Sequence, residues 1–203
     1  LNDIPVVLIE GYFRKKDVII IHADYSQSIQ KAVAHLMEQG NQTFGYIGIN
    51  PQNKNDVRKL SNLTKALKNY NRELLDEHVL YIDNYNHDFS ALVDVVLISN
   101  VNVSAFVCES DYIAAKLIDQ FTERKIAVPE DASVIGFGDS DLAKIKHPYL
   151  TTIAVDLDKM VSFAVEELLK KINNKYIESN HIHIPTRLII RESSNRLKQP
   201  ILT

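Results

Sequence analysis

The chain has 203 residues, 45% of them hydrophobic and 24% charged, the composition of an ordinary globular protein long enough for one large domain or two small lobes. A formal net charge of -3 supplies no global basic field, so any DNA-binding role has to reside in sequence outside it. The single cysteine, Cys108, excludes an internal disulfide and suits a reducing compartment. No apolar run approaches bilayer-spanning length, and no charged-then-apolar export signal opens the chain.

Two strand-like segments come first, Pro5–Ile9 and Val18–Ile21. An amphipathic helix over Ser28–Glu38 follows, with Gly40 where a left-handed cap residue is wanted. Next come a strand over Phe44–Ile49, a helix over Asp56–Tyr70, a strand over Val79–Ile82 and a helix over Phe89–Ser99. In the strand Ala105–Cys108, Cys108 reads as a packed residue rather than a reactive thiol. Asp111 is the N-cap candidate for a helix over Asp111–Arg124, and Pro129 ends the connection into the strand Ser133–Phe137. That strand runs into a Gly-acid turn and a polar loop with Pro148 and a Thr pair. Asp156 caps the last helix, Asp156–Asn173, and His181–Ile190 reads as one closing strand. There is no internal repeat.

Short strands that are apolar throughout, separated by helices, predict a parallel sheet covered on both faces. Right-handed crossovers make it a doubly wound α/β fold. Ligands of such folds bind at the carboxyl edge of the strands. His181 and His183 share one strand face, and without a nearby carboxylate or thiol they read as a solvated edge, so no metal is expected. No nucleophile elbow, phosphate-cradling glycine loop or zinc-hydrolase helix occurs, so neither catalysis nor a cofactor is expected.

Eight landmarks resemble, in order, those of LacI/GalR-type transcriptional regulators. They are Ile4–Glu10 (IPVVLIE), Ile21–Tyr25 (IHADY), His35–Gly40 (HLMEQG), Tyr46–Gly48 (YIG), Ser110–Asp111, Val128–Phe137 (VPEDASVIGF), Pro148–Ile153 (PYLTTI) and Pro185–Ser193 (PTRLIIRES). The resemblance spans essentially the whole chain. It implies a periplasmic-binding-protein-like fold, two doubly wound lobes joined by three crossovers, with residues 1–22 and 154–184 in a partial N-terminal lobe. Residues 23–153 and 185–203 fall in the C-terminal lobe. It further implies a cytoplasmic homodimer that binds a small sugar or sugar phosphate between its lobes. Binding would control the hold of an absent helix-turn-helix module on operator DNA. The runner-up is a periplasmic sugar-binding protein of a transporter.

Carried over by motif, Phe89 is either the aromatic that stacks on the effector or a core-facing first-turn residue. Lys59 stands where the family has an Arg forking onto the ligand, with Arg58 adjacent; the alternative for both is a solvated helix face. Lysine, a point charge, cannot reproduce that fork, although with Arg58 and nearby helix N-termini it would suit an anionic effector. Ser110 replaces a ligand-contacting Asn and either bonds the ligand or caps a helix, while Asp111 reads as an N-cap and hinge organiser ahead of a ligand contact. Gly138 lacks the acid of many sugar-responsive members, leaving Asp139 to turn inward, and Val155 replaces a polar residue. Glu10 either faces the cleft from the other lobe or is a solvated strand end.

Overall fold

The computed structural model describes residues 4–13, 18–52, 54–82, 88–98 and 103–196. In chain order its regular elements begin with β1 (Val7–Ile9), β2 (Ile19–Asp24), α1 (Ser26–Glu38), β3 (Phe44–Gly48), α2 (Lys54–Lys68) and β4 (Val79–Tyr81). Then follow α3 (Phe89–Ile98), β5 (Ala105–Cys108), α4 (Asp111–Glu123), β6 (Ser133–Gly138) and α5 (Leu142–Ile145). The last are β7 (Thr151–Ala154), α6 (Leu157–Ile172), β8 (His181–Pro185) and β9 (Arg187–Ile189). The expected end of the third helix at Ser99 lies outside the described residues.

The strands form two sheets, ordered β1-β2-β8 and β4-β3-β5-β6-β7-β9. They belong to two compact units: Leu1–Tyr25 with Val155–Thr186, and Ser26–Ala154 with Arg187–Thr203. The chain therefore passes from one unit to the other three times.

In the first unit all strand pairings are parallel, with Ile21 beside both Ile9 and Ile182. α6 covers this sheet with Met160, which packs on Ile21 and Ile184. Asp156 caps the helix as its sequence position predicts, accepting from the Lys159 amide at 2.9 Å. The opposite stripe of α6, Leu157, Val161, Val165, Leu169 and Ile172, stays more than half exposed.

The second unit is the doubly wound part. β3, β5 and β6 are buried along nearly their whole length, as expected of central parallel strands with helices on both faces. Their side chains meet those of α3 and α4 in one core containing Phe106, Phe121, Ile113, Leu117 and Val134. Cys108 is fully buried in β5, and burial pushes its thiol pKa up, away from the reactive thiolate. Gly40, at φ +83°, closes α1 as expected.

Three expectations need correction. The Thr pair is not in a loop: Thr151 to Ala154 form a fully buried strand, parallel to β6 and antiparallel to β9. The Thr hydroxyls are satisfied internally, Thr151 donating to the Arg191 carbonyl at 3.0 Å, so a polar pair can be buried. The closing stretch His181–Ile190 is two strands in two sheets, broken at Thr186, whose hydroxyl donates to the Asp24 carbonyl at 2.8 Å. Finally, the large sheet is mixed rather than wholly parallel, because β9 runs antiparallel at its edge.

Candidate functional site

In the large sheet the chain runs from β3 outward to β4, then crosses back to lay β5, β6 and β7 on the other side. Connections leaving β3 and β5 therefore diverge, and the crevice at their carboxyl ends is where open α/β sheets take ligands. α2 and α4 both begin near this edge.

The start of α2 is anchored to the β3 end by Asp56. Its carboxylate accepts from the amides of Ile49 (3.1 Å) and Asn50 (3.0 Å) and from the Tyr46 hydroxyl (3.3 Å). Burial pushes its pKa up despite these donors. One turn on, Lys59 is neither solvated nor directed at open space. Its side chain is 6% exposed, and its Nζ lies 2.9 Å from both the main-chain oxygen and Oε1 of Glu109. The ammonium also sits 4.7 Å from the centre of the Phe137 ring. The solvated-face reading of Lys59 is thus corrected: a buried ammonium needs a partner, and Glu109 provides it. Arg58 is partly buried on the same helix.

The start of α4 gives the capping role to Ser110 and takes it from Asp111. Ser110 is the N-cap, extended at φ -146° and ψ 163°, with its hydroxyl accepting from the Ile113 amide at 3.4 Å. Asp111 is the first helical residue, not the cap, because its carboxylate is held elsewhere. Oδ2 accepts from the amide (2.7 Å) and hydroxyl (3.0 Å) of Ser140, and Oδ1 from the Thr152 hydroxyl (2.5 Å). Asp111 therefore ties α4 to the β6 turn and to β7. The approach is close enough to require glycine: a Cβ on Gly136 would stand 2.5 Å from Asp111 Oδ1.

Gly138 adopts φ +124°, a conformation side-chain-bearing residues rarely take, and Asp139 follows at φ +56°. This pair of left-handed residues aims Asp139 at cations. Its Oδ1 lies 2.6 Å from Arg191 Nη2 and its Oδ2 3.3 Å from Lys144 Nζ. Arg191 also donates to the Leu150 carbonyl at 2.8 Å, so the pair clamps the turn to β9. Asp139 does turn inward, but toward protein cations.

Between these anchors lies a hollow of about 390 Å³, lined by Ser110, Asp111, Tyr112, Phe137, Ser140 and Leu142. Its surface combines two aromatic rings with two hydroxyls, and its volume falls among those of small-molecule sites, about 300–1,000 Å³. Phe89 is 6% exposed within the core and meets Tyr112 edge-on at 6.4 Å, which places it with the core-facing reading. Tyr112 lines the hollow together with Phe137; nothing in the chain's motifs marked Tyr112, or Glu109. A larger hollow, about 810 Å³, lies beside Val128, Pro129 and Pro148 at the amino ends of β6 and β7, the wrong edge for this kind of site.

Glu10, in the other unit, binds its own sheet. One carboxylate oxygen accepts from the Ala23 amide, and the other lies 3.9 Å from His22 Nδ1. His22 in turn stacks beside His183 (5.8 Å) and His181 (6.2 Å), both exposed.

Residues 33–194 match the periplasmic binding protein-like domain. The chain is 28% identical over 192 residues to the NTD biosynthesis operon regulator NtdR of Bacillus subtilis (strain 168), across 94% of its own length and 58% of that protein's. It superposes on the transcription regulator CcpA of Lactococcus lactis with a TM-score of 0.83 at 22% identity, covering 94% of this chain and 69% of that one. On the transcriptional regulator CelR in complex with cellobiose the TM-score is 0.82 at 22% identity, covering 92% and 58%. The chain thus spans little more than half of the curated relative. The chain belongs to the periplasmic binding protein-like domain family, and the proteins named here that it is similar to are transcriptional regulators.

Proposed function

We propose that this chain is the effector-sensing, dimerising core of a cytoplasmic transcriptional repressor that binds a small carbohydrate. A helix-turn-helix module elsewhere in the protein would carry operator binding, as the net charge of -3 requires. The observation that carries the reading is the hollow at the carboxyl ends of β5 and β6, where the Tyr112 and Phe137 rings stand beside the Ser110 and Ser140 hydroxyls. Aromatic faces suit the C–H side of a sugar, and fixed hydroxyls suit its hydroxyls. Cellobiose in the similar CelR complex supports the ligand class. Regulator names among the relatives favour this reading over a periplasmic transport protein.

In this reading Ser110 and Tyr112 touch the effector, Phe89 backs Tyr112, and Asp111 and Asp139 hold the walls. Lys59 stands on α2 against the Phe137 ring, with Arg58 beside it on the same helix. Catalysis plays no part. Effector binding would act by favouring one lobe arrangement over another, which requires different affinity for the two.

The test is a thermal-shift screen of carbohydrates on the full natural protein, followed by promoter DNA binding with and without any hit. A ligand at about 100 times its Kd adds about 2.7 kcal/mol of stability, a readily measured shift. Tyr112→Ala should weaken the hit by about 1–3 kcal/mol. A broad carbohydrate screen that leaves the melting temperature unmoved would count decisively against the proposal.

A further inference from the structure

Three cations at this edge that a phosphorylated effector could use are already paired with carboxylates. Lys59 is held by two contacts to Glu109, while Arg191 and Lys144 both face Asp139. Four carboxylates, Asp56, Glu109, Asp111 and Asp139, are set among these three cations. A phosphate brought beside these pairs meets their carboxylates together with their cations.

Glu109 carries a further signal. Lys59 needs only one carboxylate oxygen and the main-chain oxygen, and a glutamine side chain would supply the same acceptor. Yet a full carboxylate stands there, its Oε2 buried without a hydrogen-bond partner. A buried unsatisfied charged oxygen is costly, so helix anchoring alone does not explain it. What the carboxylate adds over an amide is charge.

We infer that Glu109 is a positioning residue that sets the charge of the effector: by neutralising Lys59 under the Phe137 ring, it fits the site to unphosphorylated carbohydrates and excludes phosphate esters. This rests on the effector reading above. It names a residue for which the family landmarks hold no role, and it reverses the expectation that Lys59 favours an anionic ligand.

The experiment is calorimetric titration of the full natural protein, wild type and E109Q, with matched probes: glucose and glucose 6-phosphate, ribose and ribose 5-phosphate, cellobiose, and inorganic phosphate. Wild type should favour the unphosphorylated member of a pair. In E109Q the ester-to-parent affinity ratio should rise by about tenfold or more, because a lysine charge is released against the Phe137 ring that lines the hollow. Adding Lys59→Met to E109Q should abolish that gain, which a merely structural role for Glu109 would not produce. A wild type that prefers the ester overturns the inference and leaves the carbohydrate reading standing. If no carbohydrate of either kind binds wild type, the carbohydrate reading fails, and the inference is decided by the gain of phosphate binding in the variant. An absent gain overturns it. Glu109→Ala supplies the same readout should E109Q not fold.

Discussion

Asp111 joins three elements of the second unit, and replacing it should show that its first role is architectural. The side chain is buried, with Thr152 on one oxygen and Ser140 on the other. Hydrogen bonds to a charged group contribute about 1.5–3 kcal/mol each. The two partners differ, however. Thr152 is fully buried, so Asp111→Ala strands its hydroxyl proton at full cost, whereas Ser140 is exposed enough for water to replace the lost acceptor. Relief from burying a carboxylate offsets part of the loss, and the net expectation is about 3–4 kcal/mol. Asp111→Asn should cost about 2 kcal/mol, because one end of the amide must present a donor where a donor already points. With its oxygen toward Ser140, the amide nitrogen meets Thr152 Oγ1, which also faces the Asp139 amide at 3.3 Å, and the Thr152 proton loses its acceptor. Urea unfolding followed by far-UV circular dichroism measures the series, and a cycle with Thr152→Val isolates the pair. A cost under about 1 kcal/mol for Asp111→Ala, additive with Thr152→Val, would refute the reasoning.

Gly136→Ala should be destabilising by about 1–3 kcal/mol in the same unfolding assay, since its Cβ also meets Asp111 Cα at 3.0 Å and the backbone has to yield. Restoring an acid with Gly138→Asp should cost about 1–3 kcal/mol through its φ of +124° and, by calorimetry, gain no carbohydrate affinity; a gain would show that the turn can rearrange. His35 is buried against Ser194, and burial lowers its pKa from the usual 6.5. Its neutral form is the one that folds. Its contribution is therefore complete above pH 6.5 and is lost as pH falls below that value toward the depressed folded pKa. The urea midpoint should decline between about pH 7 and 5, and less steeply in His35→Gln; equal slopes would remove His35 as the source.

The parallel core was legible because burial on both faces leaves a plain record. Ala105–Cys108 and Ser133–Phe137 are apolar throughout and bounded by cap or turn residues, so one-dimensional reading suffices. β7 leaves no such record. Thr151 and Thr152 read as loop until Asp111 and Arg191, about 40 residues away on either side, are seen to satisfy their hydroxyls. The break at Thr186 was hidden for a similar reason. His181–Ile190 keeps an extended pattern throughout, and only the pairing of its two halves with β2 and β7 shows that it changes sheets.

Site positions were legible as places and not as roles, and the reason is pairing. Motif order located Lys59, Ser110, Asp111 and Asp139 at the carboxyl edge, but the meaning of a charge there depends on what stands opposite. Glu109 carries no motif and follows a strand whose last residue, Cys108, drew attention instead. Yet it decides whether Lys59 offers a cation or only a hydrogen-bonded post. In the same way Asp139 stands next to the acid missing at Gly138, but Arg191 and Lys144 occupy its two oxygens. The two residues act in opposite directions on the site's charge. Glycine at 138 removes a carboxylate from the edge, and Glu109 places one beside Lys59. The carboxylates at this edge are held inside its wall, which is why the effector's charge is better read from the ion pairs than from the motifs.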